Sequence, residues 1–229
     1  MQARLIEWTE LAPGVRNFVF EAGGVARLEF TPGQFVSFSD DVNGKVITRA
    51  YSIASPPSDG NRFELCLNIV EDGAFTPHLF GLSPGAVLQM PPPLGTFALP
   101  LPHRDAILIS TGTGIAPFRS MLKTVLEANS PGFTLLFGVR YESHLLYRDE
   151  FEELARRFWH FRFWPTLTQP GPDWRGRTGR VQAHLEEALG ARRDLDVLLC
   201  GLKPMVDDVR RILKEMGFDR KQIRYEKYD

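Results

Sequence analysis

Residues Ala106-Ile107-Leu108-Ile109-Ser110-Thr111-Gly112-Thr113-Gly114-Ile115-Ala116-Pro117 decide the fold class. Ala106–Ser110 is a continuous apolar run, the pattern of a strand buried on both faces, and such strands belong to parallel sheets. A glycine-rich turn follows, then a helical pattern over Pro117–Ala128. Strand, turn and helix in that order are the context in which backbone N–H groups meet a pyrophosphate. Gly112 and Gly114 permit the close approach, and Pro117 fits the first helical position. The full dinucleotide fingerprint is absent, because Pro117 stands where its third glycine would be. Without a ligand, the same stretch reads as a glycine-rich connection.

Downstream the pattern repeats. Runs at Phe133–Val139, Phe161–Leu167, Val197–Cys200 and Ile223–Glu226 alternate with helical patterns at Asp149–Phe158, Val181–Leu189 and Pro204–Met216. That alternation predicts a five-stranded parallel sheet with helices on both faces. Upstream, short segments rich in β-branched and aromatic residues recur near Asn17–Glu21, Gln34–Ser39, Thr48–Ala54, Phe63–Val70 and Val87–Met90. Pairs such as Pro13-Gly14, Asn43-Gly44 and Pro84-Gly85 separate them and supply turn dihedrals. About six such strands, with one short helix around Thr76–Gly81, predict an antiparallel β-barrel. The boundary falls at Leu99-Pro100-Leu101-Pro102, giving a barrel domain over 1–100 and an α/β domain over 104–229.

The 229 residues are 43% hydrophobic and 24% charged, which excludes a disordered or fibrous chain. No apolar run approaches the roughly 18–20 residues of a membrane helix, and Met1–Trp8 lacks a signal-peptide core. A cytoplasmic location is expected. The net charge of −1 gives no ground for nucleic-acid or membrane binding. Residues 1–102 carry six basic and ten acidic side chains, however, while residues 103–229 carry 21 and 18. The basic C-terminal half suits an anionic nucleotide, or is a solvated basic face. Two cysteines, Cys66 and Cys200, cannot build a four-cysteine metal site, and the five histidines lack ligand spacing. No metal is expected.

Four further stretches carry chemistry-bearing groups. Arg49-Ala50-Tyr51-Ser52 offers a guanidinium fork, a flat ring and a small hydroxyl on one strand, or is an alternating strand and nothing more. Gly73-Ala74-Phe75-Thr76-Pro77 reads as a turn, with Thr76 capping a helix and Pro77 opening it. Its free N–H groups suit a phosphate. Cys200-Gly201 ends a strand at the sheet edge where ligands bind, although a buried cysteine is ordinarily a core residue, as Cys66 is read to be. Tyr225-Glu226-Lys227-Tyr228-Asp229 follows a predicted strand, so it is expected to dock.

In this order the motifs resemble the ferredoxin–NADP reductase family of two-domain flavoproteins, over nearly the whole chain. Phe30-Thr31-Pro32-Gly33-Gln34-Phe35 followed by Arg49-Ala50-Tyr51-Ser52 looks like the bacterial ferredoxin/flavodoxin reductases in particular. The resemblance implies FAD, rather than FMN, in the barrel and NADPH or NADH as cosubstrate in the α/β domain. Arg49 would meet the flavin pyrophosphate, Tyr51 would stack on the isoalloxazine, and Ser52 would lie by its reactive N5. Ala50, Asn68, Ile69 and the Gly73, Ala74, Phe75, Thr76 segment would complete the FAD site. Thr111, Gly112, Thr113, Gly114 and Gly201 would receive the nicotinamide nucleotide, with Cys200 beside the nicotinamide. Glu226 and Tyr228 match the family's C-terminal Glu-x-aromatic pattern, so Ser52, Cys200, Glu226 and Tyr228 form the implied catalytic set.

Arg140 and Arg180 match basic positions around a 2′-phosphate, but Thr168-Gln169 stands where NADPH-specific relatives place Ser-Arg. The implied electron partner is a separate ferredoxin or flavodoxin, since two cysteines cannot supply a fused iron–sulfur module. One alternative is an NADH-dependent reductase component of an oxygenase, favoured by Gln169. Another, of a different class, is a non-catalytic nucleotide-sensing or electron-complex subunit.

Overall fold

A computed structural model describes residues 1–228. The chain forms two compact units, Met1–Ala98 with Ala116–Thr124, and Leu99–Ile115 with the chain from Val125 onward.

The first unit holds β1 (Gln2–Ala12), β2 (Val15–Ala22), β3 (Phe35–Val42), β4 (Lys45–Ser52), β5 (Arg62–Asn68), the short helix α1 (Phe75–Gly81) and β6 (Val87–Gln89). The six strands are antiparallel in the order β4-β3-β6-β1-β2-β5. A bridge between Ile53 and Leu65 joins the chain just beyond β4 to β5 and closes the barrel. Closure leaves no long unpaired edge. Alternation along the strands sends Phe18, Phe20, Phe38 and Phe63 inward, where Phe20 lies 4.8 Å from Phe38 and 5.7 Å from Phe63, centroid to centroid.

Strand β1 was not among the segments predicted above. Its pairing with β2 shifts register between Leu5 and Glu7 and again between Glu10 and Ala12. Two such bulges break the alternation by which a strand is recognised.

The second unit contains β7 (Ala106–Thr111), which runs through a 3₁₀ turn at Gly112–Ile115 toward α2 (Ala116–Val125). It continues with β8 (Phe133–Val139), α3 (Arg148–Arg157), β9 (Phe161–Leu167), β10 (Arg177–Thr178), α4 (Leu185–Leu189), β11 (Asp196–Leu202), α5 (Lys203–Glu215) and β12 (Ile223–Tyr228). All five predicted strands are present. The sheet has six, because the two-residue β10 adds itself to the edge beside β9, too short to leave a period. The order is β10-β9-β8-β7-β11-β12, all parallel. Successive strands therefore step to one side of β7 and then restart on the other. In such sheets the crevice at that reversal, outside the carboxyl ends of the strands, is where ligands bind. Ile107, Ile109, Val197 and Leu199 share one core cluster with Val206, Val209 and Leu213 of α5, so the amphipathic helix buries its apolar stripe on the sheet.

Candidate functional site

In the first unit the pairing of β3 with β4 places Arg49 opposite Phe38 and Tyr51 opposite Val36. Residues two apart share a face, so the guanidinium and the phenol stand together while Ala50 and Ser52 face the other way. Ser52 is buried and paired with Phe35. The Tyr51 hydroxyl is buried without a hydrogen-bond partner. Burial raises its pKa above the ordinary phenol value, against the downward pull of the Arg49 charge. Arg49 donates to the carbonyl of its neighbour Thr48 at 2.9 Å and has no carboxylate within ion-pairing distance among the described residues.

The segment after β5 wraps close by. Asn68 Nδ2 donates to Ile69 O at 3.3 Å, Gly73 N donates to Val70 O at 2.8 Å, and Phe75 stacks 6.3 Å from Tyr51. Thr76 does not cap α1 as predicted. Ala74 is the N-cap and makes no side-chain bond, while the Thr76 hydroxyl accepts from Val70 N at 2.9 Å. The turn at Gly73 folds Val70 back over the helix start, and its N–H claims the hydroxyl first.

In the second unit the glycines of the turn are explained by neighbouring backbone. A Cβ on Gly114 would stand 2.7 Å from the carbonyl carbon of Cys200 and 2.9 Å from Gly201 Cα. Gly112 has φ +54° with nothing within 4 Å of a hypothetical Cβ. The turn therefore seats against β11 on one side and is open on the other. Ser110 Oγ and Thr111 Oγ1, at the end of β7, are buried without hydrogen-bond partners.

Register brings the remaining candidates level. Cys200 is paired with Ser110 of β7 and with Glu226 of β12, and Leu202 with Tyr228. Burial and the Glu226 charge push the Cys200 thiol well above its ordinary pKa, and a hydrogen bond with Tyr228 opposes them. The sulfur is thus a neutral thiol, not a thiolate nucleophile. The alternate residues of β12 fasten it to α5. Lys227 Nζ lies 2.6 Å from Asp207 Oδ1, and the Arg210 guanidinium stacks 3.8 Å over Tyr225. The terminal stretch is docked as expected, apart from Asp229, which lies outside the described residues.

At the ends of β8, β9 and β10, Thr168 N donates to Val139 O, Gln169 N to Arg140 O and Gly179 N to Leu167 O. Arg140, Thr168-Gln169 and Arg180 are therefore near neighbours. Arg140 and Arg180 are exposed and have no carboxylate partner among the described residues. Nearby arginines differ, since Arg177 pairs with Glu187 and Arg148 with Glu142 and Glu152.

Comparison with known proteins gives these positions their context. Residues 2–99 match the model of the oxidoreductase FAD-binding domain, and residues 108–211 that of the oxidoreductase NAD-binding domain. The chain is 40% identical to ferredoxin–NADP reductase B of Sorangium cellulosum, over 100% of this chain and 97% of that protein. This chain belongs to the ferredoxin–NADP reductase family. The anthranilate 1,2-dioxygenase electron transfer component of Acinetobacter baylyi is 29% identical over 89% of this chain and 60% of its own length. A solved ferredoxin NADP+ reductase from Neisseria gonorrhoeae with bound FAD and NADP shares the fold, with a TM-score of 0.82 over 99% of this chain and 98% of that one at 22% identity.

As a member of the ferredoxin–NADP reductase family, the chain is a flavin-dependent oxidoreductase that draws electrons from NAD(P)H. The uncommitted groups fit both cofactors. An orphaned Tyr51 hydroxyl beside an Arg49 that has no carboxylate partner among the described residues suits a flavin with its pyrophosphate. Orphaned Thr111 Oγ1, the open side of Gly112, and the unpaired Arg140 and Arg180 suit an anionic nucleotide. Among the described residues no helix is long and apolar enough to cross a membrane, and no three His, Cys, Asp or Glu are grouped as metal ligands.

One group escaped the sequence reading. Arg119, in the first turn of α2, is 6% exposed and bonds to Ala54 O and to Glu64. The available signal was a lone arginine within Ala116–Leu122, a run of which every residue is buried.

Proposed function

We propose that this enzyme passes hydride between NAD(P)H and FAD and exchanges single electrons with a separate ferredoxin or flavodoxin. The barrel over 1–100 would hold FAD and residues 104–229 the nucleotide. The carrying observation is that the Tyr51 and Thr111 hydroxyls without hydrogen-bond partners, and Arg49, Arg140 and Arg180 without carboxylate partners among the described residues, fall at the positions at which the motifs require ligands. When bound, the flavin supplies the conversion of a two-electron donor into one-electron steps.

The residues position and shield. Arg49 would neutralise the FAD pyrophosphate with the N–H groups around Gly73–Thr76, and Tyr51 would cover one ring face. Asn68 and Ile69 would border the FAD site, and Ala50 would keep the strand close to it. Ser52, a small hydroxyl, and Cys200, a neutral thiol, would hydrogen-bond near the reacting atoms without adding charge. Glu226 would hold or move a proton at its carboxylate. Tyr228 would lie over the flavin face that the nicotinamide needs, and would move aside for it. Thr111 through Gly114, with Gly201, would seat the nucleotide by close backbone approach.

The preferred nucleotide is NADPH, because Arg140 and Arg180 are unpaired and adjacent. Gln169 in place of an arginine favours the second reading, an NADH-dependent component of an oxygenase system, to which the similarity to a dioxygenase electron transfer component also points. Basic groups on α3 and α5 add little free charge for a partner, since Arg156, Arg210 and Arg211 all pair with acids on their own helices. A cytoplasmic location is part of this reading.

The test mixes FAD-loaded protein anaerobically with NADPH and, separately, NADH, and follows the flavin absorbance. Prompt bleaching is expected, faster with NADPH. No bleaching with either nucleotide overturns the reading, and faster bleaching with NADH selects the second one.

A further inference from the structure

Arg119 is the one buried arginine among the described residues. Burying a guanidinium is costly unless it is paired and hydrogen-bonded, and Arg119 meets both conditions inside the first unit. Its Nη1 donates to Glu64 Oε2 at 2.9 Å and to Ala54 O at 3.1 Å. Glu64 is itself held, since Asn17 Nδ2 donates to Oε2 at 3.0 Å and Ser55 Oγ accepts from Glu64 N at 3.1 Å. Asn17, Ser55 and Arg119, three of the buried polar residues, thus gather around Glu64, Asn17 and Arg119 on its carboxylate and Ser55 on its backbone N–H.

Two features of this network bear on the reaction. Ala54 lies two residues beyond Ser52, on the chain that carries Arg49 and Tyr51. Arg119 lies five residues beyond Gly114, on the helix that continues the Gly112–Ile115 turn without a break. A helix transmits position along its axis because each residue is fixed at about 1.5 Å of rise. The fork of Arg119 therefore ties the helix behind the nucleotide turn to the strand that carries the flavin residues.

We propose that Arg119 is a positioning residue for hydride transfer, setting the register of the Arg49–Ser55 strand against the helix that follows Gly114. This rests on the flavin and nucleotide assignment of the preceding subsection. A role in alignment differs from a role in binding, because Ala54 and Glu64, which Arg119 holds, lie outside both sets of proposed ligand residues. Small misplacements of reacting groups cost rate steeply.

The test uses the full chain with Arg119→Met, which keeps length and removes the fork, and Arg119→Lys, which keeps the charge. FAD affinity is read by fluorescence titration of apoprotein, NADP+ affinity by calorimetry, and flavin reduction by rapid mixing at saturating NADPH. Arg119→Met is expected to slow reduction at saturation at least tenfold, with each affinity changed less than threefold, and Arg119→Lys to recover part of the rate. The visible circular dichroism of bound FAD is expected to change with the rate.

A reduction rate within twofold of the parent, or a loss fully explained by weakened FAD binding, overturns the proposal. If Arg119→Met does not fold, Glu64→Gln carries the test, with a fall of about threefold expected and an unchanged rate overturning it. Failure of the parent protein to bleach would instead defeat the functional assignment, so the two failures are separable.

Discussion

Gly114→Ala is the substitution for which the structure gives the most definite expectation. The added Cβ would stand 2.7 Å from the Cys200 carbonyl carbon, 0.7 Å inside the 3.4 Å at which ordinary contact begins. Its neighbours are backbone atoms of β11, not the flexible end of a side chain, and β11 is hydrogen-bonded on both sides by β7 and β12. The turn or the strand has to move by most of that amount. Overpacking of this kind costs about 1–3 kcal/mol, and about 1 kcal/mol lowers the melting temperature of a domain this size by roughly 2–4 °C. A loss of about 2–12 °C is expected, together with at least tenfold weaker NADP+ binding, because the turn leaves the position from which its N–H groups face the ligand. Calorimetric melting with and without FAD, and titration with NADP+, measure both. Gly112→Ala is the comparison. Its Cβ meets nothing, so it pays only for a positive φ, about 1–2 kcal/mol, without displacing β11. Parent-like melting and NADP+ affinity in Gly114→Ala would refute the close-approach argument.

Tyr228→Ser is expected to raise NADP+ affinity at least fivefold by calorimetry, since the ring no longer has to be displaced; an unchanged affinity counts against a gating role. Tyr51→Phe removes a buried hydroxyl that lacks a partner, so apoprotein is expected to melt no lower than the parent and up to about 1 kcal/mol more stable, while FAD binds more weakly. A lower apoprotein melting temperature would contradict the orphaned hydroxyl. Stability is expected to fall as pH rises above about 8.5. Below that value both states hold the Cys200 proton, and above it the unfolded thiol ionises while the buried one does not. The raised phenol of Tyr51 adds to the slope above about pH 10. Urea titrations between pH 7 and 10 on the parent and Cys200→Ser measure this, and identical slopes would refute the assignment to Cys200.

What the sequence disclosed and what it concealed divide along physical lines. Ala106–Thr111 and Val197–Cys200 are legible because strands covered on both faces must be apolar throughout, and Gly114, between β7 and α2, marks a turn that packs directly on backbone. The five motifs could be placed because each is contiguous. Strand β1 stayed hidden because bulges at Leu5–Glu7 and Glu10–Ala12 scramble its alternation, and β10 because two residues carry no period. Thr76 was misassigned as a cap because the competing donor, Val70 N, arrives through a turn that the sequence does not announce. The Arg119–Glu64 pair spans 55 positions, a distance across which no pattern in a single sequence connects a cation to its carboxylate.

The restart of strand order on either side of β7 has a consequence for how such an enzyme can change. Arg140, Gln169 and Arg180 stand at the ends of β8, β9 and β10, whereas Cys200, Glu226 and Tyr228 belong to β11 and β12. Under the proposed assignment, coenzyme discrimination and redox chemistry would stand on opposite flanks of β7, with no hydrogen-bonded pairing between the two groups of strands among the described residues. On that assignment, substitutions on the β8–β10 flank would exchange one coenzyme for the other while the β11–β12 flank is inherited intact. A single ancestral scaffold could in this way supply reducing equivalents from either nucleotide pool without re-evolving its catalytic half.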